Sequence, residues 1–130
     1  MLEINLIQNI KAPAESIFPY LTKQELLAKW LTPAVIAFPK KGTFAAFALG
    51  NDINFKVEII EFIENKELRW KCIDGNVSWL GSEISFEIRT SMEGLPQLEF
   101  RQTGLKNEEE AEKWKNNWQF YLSALNEMAS

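Results

Sequence analysis

The sequence contains no histidine. That absence removes the side chain that titrates nearest neutrality, and with it the commonest general base, the commonest metal ligand and every Ser-His or Cys-His pair. Cysteine is almost as scarce. Cys72 stands alone, so there is no intramolecular disulfide framework, and a thiolate zinc site would have at most one ligand. Basic residues are outnumbered 14 to 18, leaving a net charge of −4 and an isoelectric point near 5.0. Nucleic acid is therefore not an expected partner, because phosphate binding needs a basic footprint. Lys40 and Lys41, beside Gly42, are the nearest basic feature and read as a solvated turn. No apolar run approaches the ~18 residues of a membrane span. The opening "MLEINLIQNIKAP" carries an acid at Glu3 and alternates apolar with polar, unlike a secretory leader. A cytoplasmic protein with no membrane insertion is expected, and "NVS" at 76–78 then reads as a chance glycosylation match. Phosphate-loop and dinucleotide fingerprints are also missing, and no cofactor is expected.

Aromatic rings are abundant instead: five Trp, nine Phe and two Tyr in 130 residues. Each large ring buries on the order of 150–250 Å². A chain of this length, without repeats or linkers, is expected to form one domain over 1–130 with one real core.

The apolar period divides the chain. "EINLIQNI" alternates as a half-buried strand, with Gln8 at the same parity as Ile4, Leu6 and Ile10. "APAESIFPYL" reads as a short helix with Pro13 at its first position and Pro19 near its end. "TKQELLAKW" reads as a second short helix, capped by Thr22 with Glu25, with Leu26, Leu27 and Trp30 on its apolar face. The period then becomes two. "AVIAF", "TFAAFAL" and "INFKVEIIEFI" read as strands, and the parity slip from Ile59 to Ile60 and Phe62 predicts a bulge. "ELRWKCI" turns Leu68, Trp70 and Cys72 inward, and "DGN" at 74–76 reads as a hairpin turn. "SEISFEIR" turns Ile84, Phe86 and Ile88 inward. After a turn at "EGLP" (93–96), "QLEFRQTG" does the same for Leu98, Phe100 and Gln102.

The last segment is helical. Asn107 with Glu110 forms a capping signal, and three glutamates fall in the first turn, where the helix dipole favours them. Ala111, Trp114, Trp118, Tyr121, Leu122, Leu125 and Met128 make one apolar stripe about 30 Å long. Strand, two short helices, six strands and one long helix give an α+β domain in which the long helix covers one face of a curved antiparallel sheet.

The segments "INLIQNIKAPAESIFPYLTKQELLAKW", "GTFAAF", "FKVEIIEFIENKELRWKC", "SEISFEI" and "WKNNWQFYLSAL" together resemble the SRPBCC, or START-like, superfamily. The group they resemble within it is related to the activator of the 90-kDa heat-shock-protein ATPase. The resemblance spans essentially the whole chain. It implies the helix-grip fold, a seven-stranded antiparallel sheet wrapped around a long C-terminal helix, often with a cavity between them. Members bind lipids, sterols or other apolar molecules, some are cyclases or hydrolases, and some are co-chaperones. The sequence departs from the common pattern in having one glycine at "KKG" where many relatives have two. It also has Phe55 and Lys56 where many relatives have a strand glycine, and these bulky side chains narrow any cavity.

Three functions follow as expectations. The first is binding of a small hydrophobic ligand between the C-terminal helix and the sheet. Walls would come from Trp30, Phe47, Phe55, Trp70, Phe86, Phe100, Trp114, Trp118 and Tyr121, with Gln8 and Gln102 as polar handles. The second is a protein-interaction or co-chaperone-like module, which requires an exposed apolar patch with a polar rim. The third, a cavity enzyme, is the weakest. Glu67, Glu83, Glu87 and Glu99 lie at outward parity, Glu58 and Glu61 flank the parity slip, and Cys72 reads as a small core residue. Trp79 follows a turn and is expected near a rim.

Overall fold

The computed structural model describes residues 2–90 and 95–130. Seven strands, β1 (Leu2–Asn9), β2 (Val35–Ile36), β3 (Phe44–Ala48), β4 (Asn54–Ile63), β5 (Glu67–Gly75), β6 (Glu83–Arg89) and β7 (Gln97–Leu105), form one sheet of order β1-β7-β6-β5-β4-β3-β2. Every neighbouring pair is antiparallel. Two short helices, α1 (Ala14–Thr22) and α2 (Gln24–Trp30), follow β1, and the long α3 (Glu108–Ala129) ends the chain. This is the α+β helix-grip arrangement, with β1 and the two-residue β2 as its edges.

The alternation sets which face each strand buries. On β5 the inward Leu68, Trp70 and Cys72 are buried, and on β6 Ile84, Phe86 and Ile88 are. The bulge in β4 falls where the parity slips: the register shifts between Ile59 and Glu61, leaving Ile60 as the extra residue. The shift resets the alternation, so Glu58 and Glu61 share the outer face, opposite Lys71 and Arg69. That face carries a charged lattice. Arg89 bridges Glu87 and Glu99, Arg69 pairs with Glu67, and Arg101 pairs with Glu3. Arg89 thereby relieves the repulsion of two glutamates held directly opposite each other on β6 and β7.

Several local readings are corrected. Pro19 sits inside α1, which runs three residues further; the ring lacks an N–H, but packing of Ile17, Phe18 and Leu21 holds the turn. Thr22 does not cap α2. Its Oγ1 donates to the Phe18 carbonyl 3.2 Å away and closes α1, and Lys23 occupies the cap position. "DGN" is not the hairpin turn, because Asp74 and Gly75 still pair with Lys56 and Phe55, so the connection runs over residues 76–82. The expected turn at 93–96 lies partly outside the described residues, with only Leu95 and Pro96 within them.

The Asn107 side chain accepts from the Glu110 N–H at 2.8 Å, so the expected cap forms. The Glu110 carboxylate instead takes the Ser78 hydroxyl. Trp114, Trp118, Leu122 and Leu125 form the buried stripe of α3, but Met128 is 52% exposed. Met128 offers its carbonyl to the Tyr20 hydroxyl while its side chain faces solvent.

Candidate functional site

The inward rings of five strands and the face of α3 meet in one aromatic circuit. Phe47 stacks on Phe55 (centroids 4.9 Å apart), Phe55 meets Trp79 (5.0 Å), and Trp79 lies 6.5 Å from Trp118. Trp118 meets Phe100 (4.9 Å), Phe100 meets Phe86 (5.4 Å), Phe86 meets Trp70 (4.9 Å), and Trp70 returns to Phe47 (5.2 Å). Trp114 joins through Trp79 at 5.2 Å, edge-on. Most contacts are tilted or edge-to-face, the geometries the ring quadrupole favours. Seven of the expected wall residues therefore pack together in one aromatic cluster, and an eighth, Tyr121, reaches it only through Trp118 and stays half-buried. Burial raises the Tyr121 hydroxyl pKa.

Three candidates behave differently. Trp30 is buried on α2 and donates its Nε1–H to the Tyr20 carbonyl at 2.7 Å, which ties α2 to α1. It makes no ring contact with the circuit among the described aromatic pairs. Gln8 faces the helix side but is only half-buried, and its Oε1 accepts from Asn126 Nδ2 at 2.8 Å, near the far end of α3. Gln102 is fully buried; its Oε1 accepts from Trp118 Nε1 at 2.8 Å. The two glutamines thus serve different parts of the helix, Gln102 its middle and Gln8 its last turns.

Trp79 is the residue that the sequence reading misplaced. It is 0% exposed, one link of the circuit and not at a rim. Strand parity cannot place it, because it sits in the irregular segment 76–82. The signal available was local: one indole in a turn of small and polar residues, "GNVSWLGS". Its Nε1 and Gln102 Nε2 are the buried side-chain polar atoms without a hydrogen-bond partner among the described residues.

A concavity lies on the opposite side of the sheet. At the β2 edge an open groove of about 530 Å³ is lined by Pro33, Ala34, Ile36, Ala46 and Ala48, with Asn54, Lys56 and Asp74 as its polar members. The groove exists because β3 places alanines at two outward positions between larger neighbours. Ile36 and Phe44 flank it, exposed at 60% and 47%, and Lys56 Nζ lies 4.8 Å over the Phe44 ring. Only Phe47 and Phe55 of the expected wall residues also border this groove. The outward positions of "FAAFA", Ala46 and Ala48, carried the signal, since small residues on a solvent face leave a hollow.

Cys72 is buried, and burial raises its thiol pKa, with hydrogen bonding to the Asp74 carbonyl acting in the other direction. Among the described residues no helix is long and apolar enough to cross a membrane.

With this geometry in hand, comparison with known proteins is informative. No curated protein matches the sequence. The structure is similar to that of the Aha1 dimer from Colwellia psychrerythraea, at 26% identity over 99% of this chain and 96% of that one, with a TM-score of 0.89. It is also similar to MLL2253 from Mesorhizobium loti (19% identity, 97% and 95% covered, TM-score 0.83). A third likeness, to DynU16 of the dynemicin biosynthetic locus, has 15% identity and a TM-score of 0.79, covering 96% of this chain and 46% of that one. The last two show the shared fold alone. The model of the family described as "Activator of Hsp90 ATPase homolog 1-like protein" matches residues 11–130, and the chain belongs to that family.

Proposed function

We propose that the protein is a protein-binding module of the co-chaperone type, that its partner is an ATPase of the Hsp90 kind, and that it performs no catalysis of its own. The observation that carries this reading is the open apolar groove at the β2 edge, with an exposed isoleucine and phenylalanine beside it and a lysine and an aspartate at its rim. A contiguous apolar hollow with a polar border is how a binding surface differs from scattered exposed side chains. The family description supplies the class of partner. The test is co-sedimentation of the purified chain with the Hsp90-type ATPase of the same cell, alongside the steady-state ATPase rate. Binding with a changed rate supports the reading; no complex at micromolar concentrations removes it. Because a relative was solved as a dimer, a second copy is the competing occupant. A dimeric mass by light scattering that Ala46→Arg converts to a monomer would assign the groove to self-association instead.

A second reading, binding of a small hydrophobic molecule between α3 and the sheet, is favoured by one specific observation: the two unpartnered donors inside the aromatic circuit.

A further inference from the structure

We infer that the open edge of β1 pairs antiparallel with β1 of a second copy of this chain, about a twofold axis at Asn5. The pairing leaves the groove of each copy free at the opposite, β2 edge of its sheet, so the inference goes beyond the proposed function and does not depend on it.

The alternation of an antiparallel ladder decides which backbone groups of β1 are available. Ile10 N–H donates to the Pro96 carbonyl at 3.1 Å, and this contact continues the register that sets Ile4 against Gln102, Leu6 against Phe100 and Gln8 against Leu98. Alternate residues of a strand turn their N–H and C=O to the same side. Ile4, Leu6 and Gln8 therefore bond β7, and Glu3, Asn5, Ile7 and Asn9 turn theirs to the open edge. The Asn9 carbonyl agrees with this, since it accepts from Asn126 Nδ2 at 3.0 Å, and nearby Lys11 N–H donates to Ser130 Oγ at 3.2 Å. The end of α3 thus closes the edge beyond Ile7. Glu3, Asn5 and Ile7 each keep an open N–H and C=O among the described residues.

The two edges of the sheet are guarded differently. β2 has two residues, and the N–H that follows it, from Ala37, is taken by Gln24 Oε1 at 3.1 Å. β1 has eight residues and contains no lysine or proline, the residues that most often blunt an edge.

A window of three edge-facing residues centred on Asn5 is its own antiparallel complement. Asn5 meets Asn5 of the second copy, and Glu3 meets Ile7 at each end, so every open group of the window finds a partner. The charges fit as well. Each Glu3 carboxylate is held by Arg101 of its own chain at 2.9 Å. The two Glu3 lie about 13 Å apart along the strands, too far to meet. Asn5 Nδ2 donates to Glu3 Oε1 at 3.1 Å, which leaves its second hydrogen and its Oδ1 for the facing amide. Ile7, 56% exposed in the single chain, gains cover from the Glu3 stem of the second copy.

The test is the mass of the intact chain by multi-angle light scattering at submillimolar concentration. The expected value is twice 15.0 kDa, and unchanged in Ala46→Arg. Asn5→Pro removes only an edge-facing N–H, which a sheet tolerates, and is expected to halve the mass at an unchanged melting temperature. If that variant does not fold, Asn5→Lys keeps the exposed position polar and sets two like charges opposite each other; the same loss is expected. Cysteine variants oxidised with copper–phenanthroline read the register. Facing Asn5 Cα atoms lie about 5.5 Å apart, within disulfide reach, so Asn5→Cys is expected to give a covalent dimer. Ile7→Cys, about 13 Å from its copy, is expected to give none. A monomeric mass for the unaltered chain, a dimer undiminished in the folded Asn5 variants, or cross-linking by Ile7→Cys alone would overturn the inference. A monomer that still binds the ATPase overturns it and leaves the proposed function standing. A dimer lost in Ala46→Arg but kept in Asn5→Pro assigns self-association to the groove and overturns both.

Discussion

Cys72 illustrates what one buried side chain does to its own chemistry. Its thiol pKa is raised chiefly by desolvation, so the neutral thiol is the form the fold favours. A group raised in the folded state contributes stability that is complete below its unfolded pKa of about 8.5 and is lost as pH climbs through the raised folded value. Two results are expected: iodoacetamide labels Cys72 at pH 8 only as fast as the protein unfolds, and Cys72→Ala flattens the alkaline loss of stability in melts from pH 8 to 10. Labelling faster than unfolding would show that the thiol is accessible. Inward parity alone identified Cys72, Gln102 and the strand rings, because alternation of period two is a direct record of which face is buried. Trp79 was not legible in this way. It has no strand partner, and its burial depends on how the 76–82 segment folds back over Phe55 and Trp114.

At the level of elements, the length and stripe of α3 were plain from spacing, but its last turn was not. Periodicity carries the stripe on to Met128, whereas that side chain faces solvent. Trp118→Ala is expected to cost about 3–5 kcal/mol in denaturant melts. Phe120→Ser, on the solvent face of the same helix at 72% exposure, is expected to stay within about 0.5 kcal/mol. Similar losses for the two would mean that α3 does not pack by this stripe. Asn107→Ala removes an N-cap acceptor and is expected to cost about 1 kcal/mol. Gly75 is the sharper backbone test. It holds φ +131°, and a Cβ there would lie 2.4 Å from the Asn54 carbonyl oxygen and 2.6 Å from Phe55 Cα. Gly75→Ala is expected to destabilise by about 1–3 kcal/mol and to disturb the β4–β5 pairing at the groove, measurable as lost amide-exchange protection at Phe55. Unchanged protection would contradict that.

On the scale of the whole molecule, the order of elements and the resemblance they carry were enough to anticipate the helix-grip fold and its seven strands. The groove was not anticipated, because it belongs to no single element. It requires the two-residue β2 to end the sheet beside β3, so that Ile36 faces Ala46 and the alanines stay uncovered. Sequence gives each strand its faces but does not say which strand is left at an edge. The molecule thus has two regions with different chemistry: a closely packed aromatic interior, with two donors unpaired among the described residues, and an open apolar hollow on the opposite side of the sheet. The proposed function places the partner at the second. The direct test is the affinity of the intact chain for the Hsp90-type ATPase of the same cell, measured by titration calorimetry for the unaltered protein, Ala46→Arg and Gln102→Leu. The expected outcome is binding by the unaltered chain, at least a tenfold loss in Ala46→Arg with an unchanged melting temperature, and unchanged affinity in folded Gln102→Leu. Equal affinity for the unaltered chain and Ala46→Arg, or no binding at all, would contradict it.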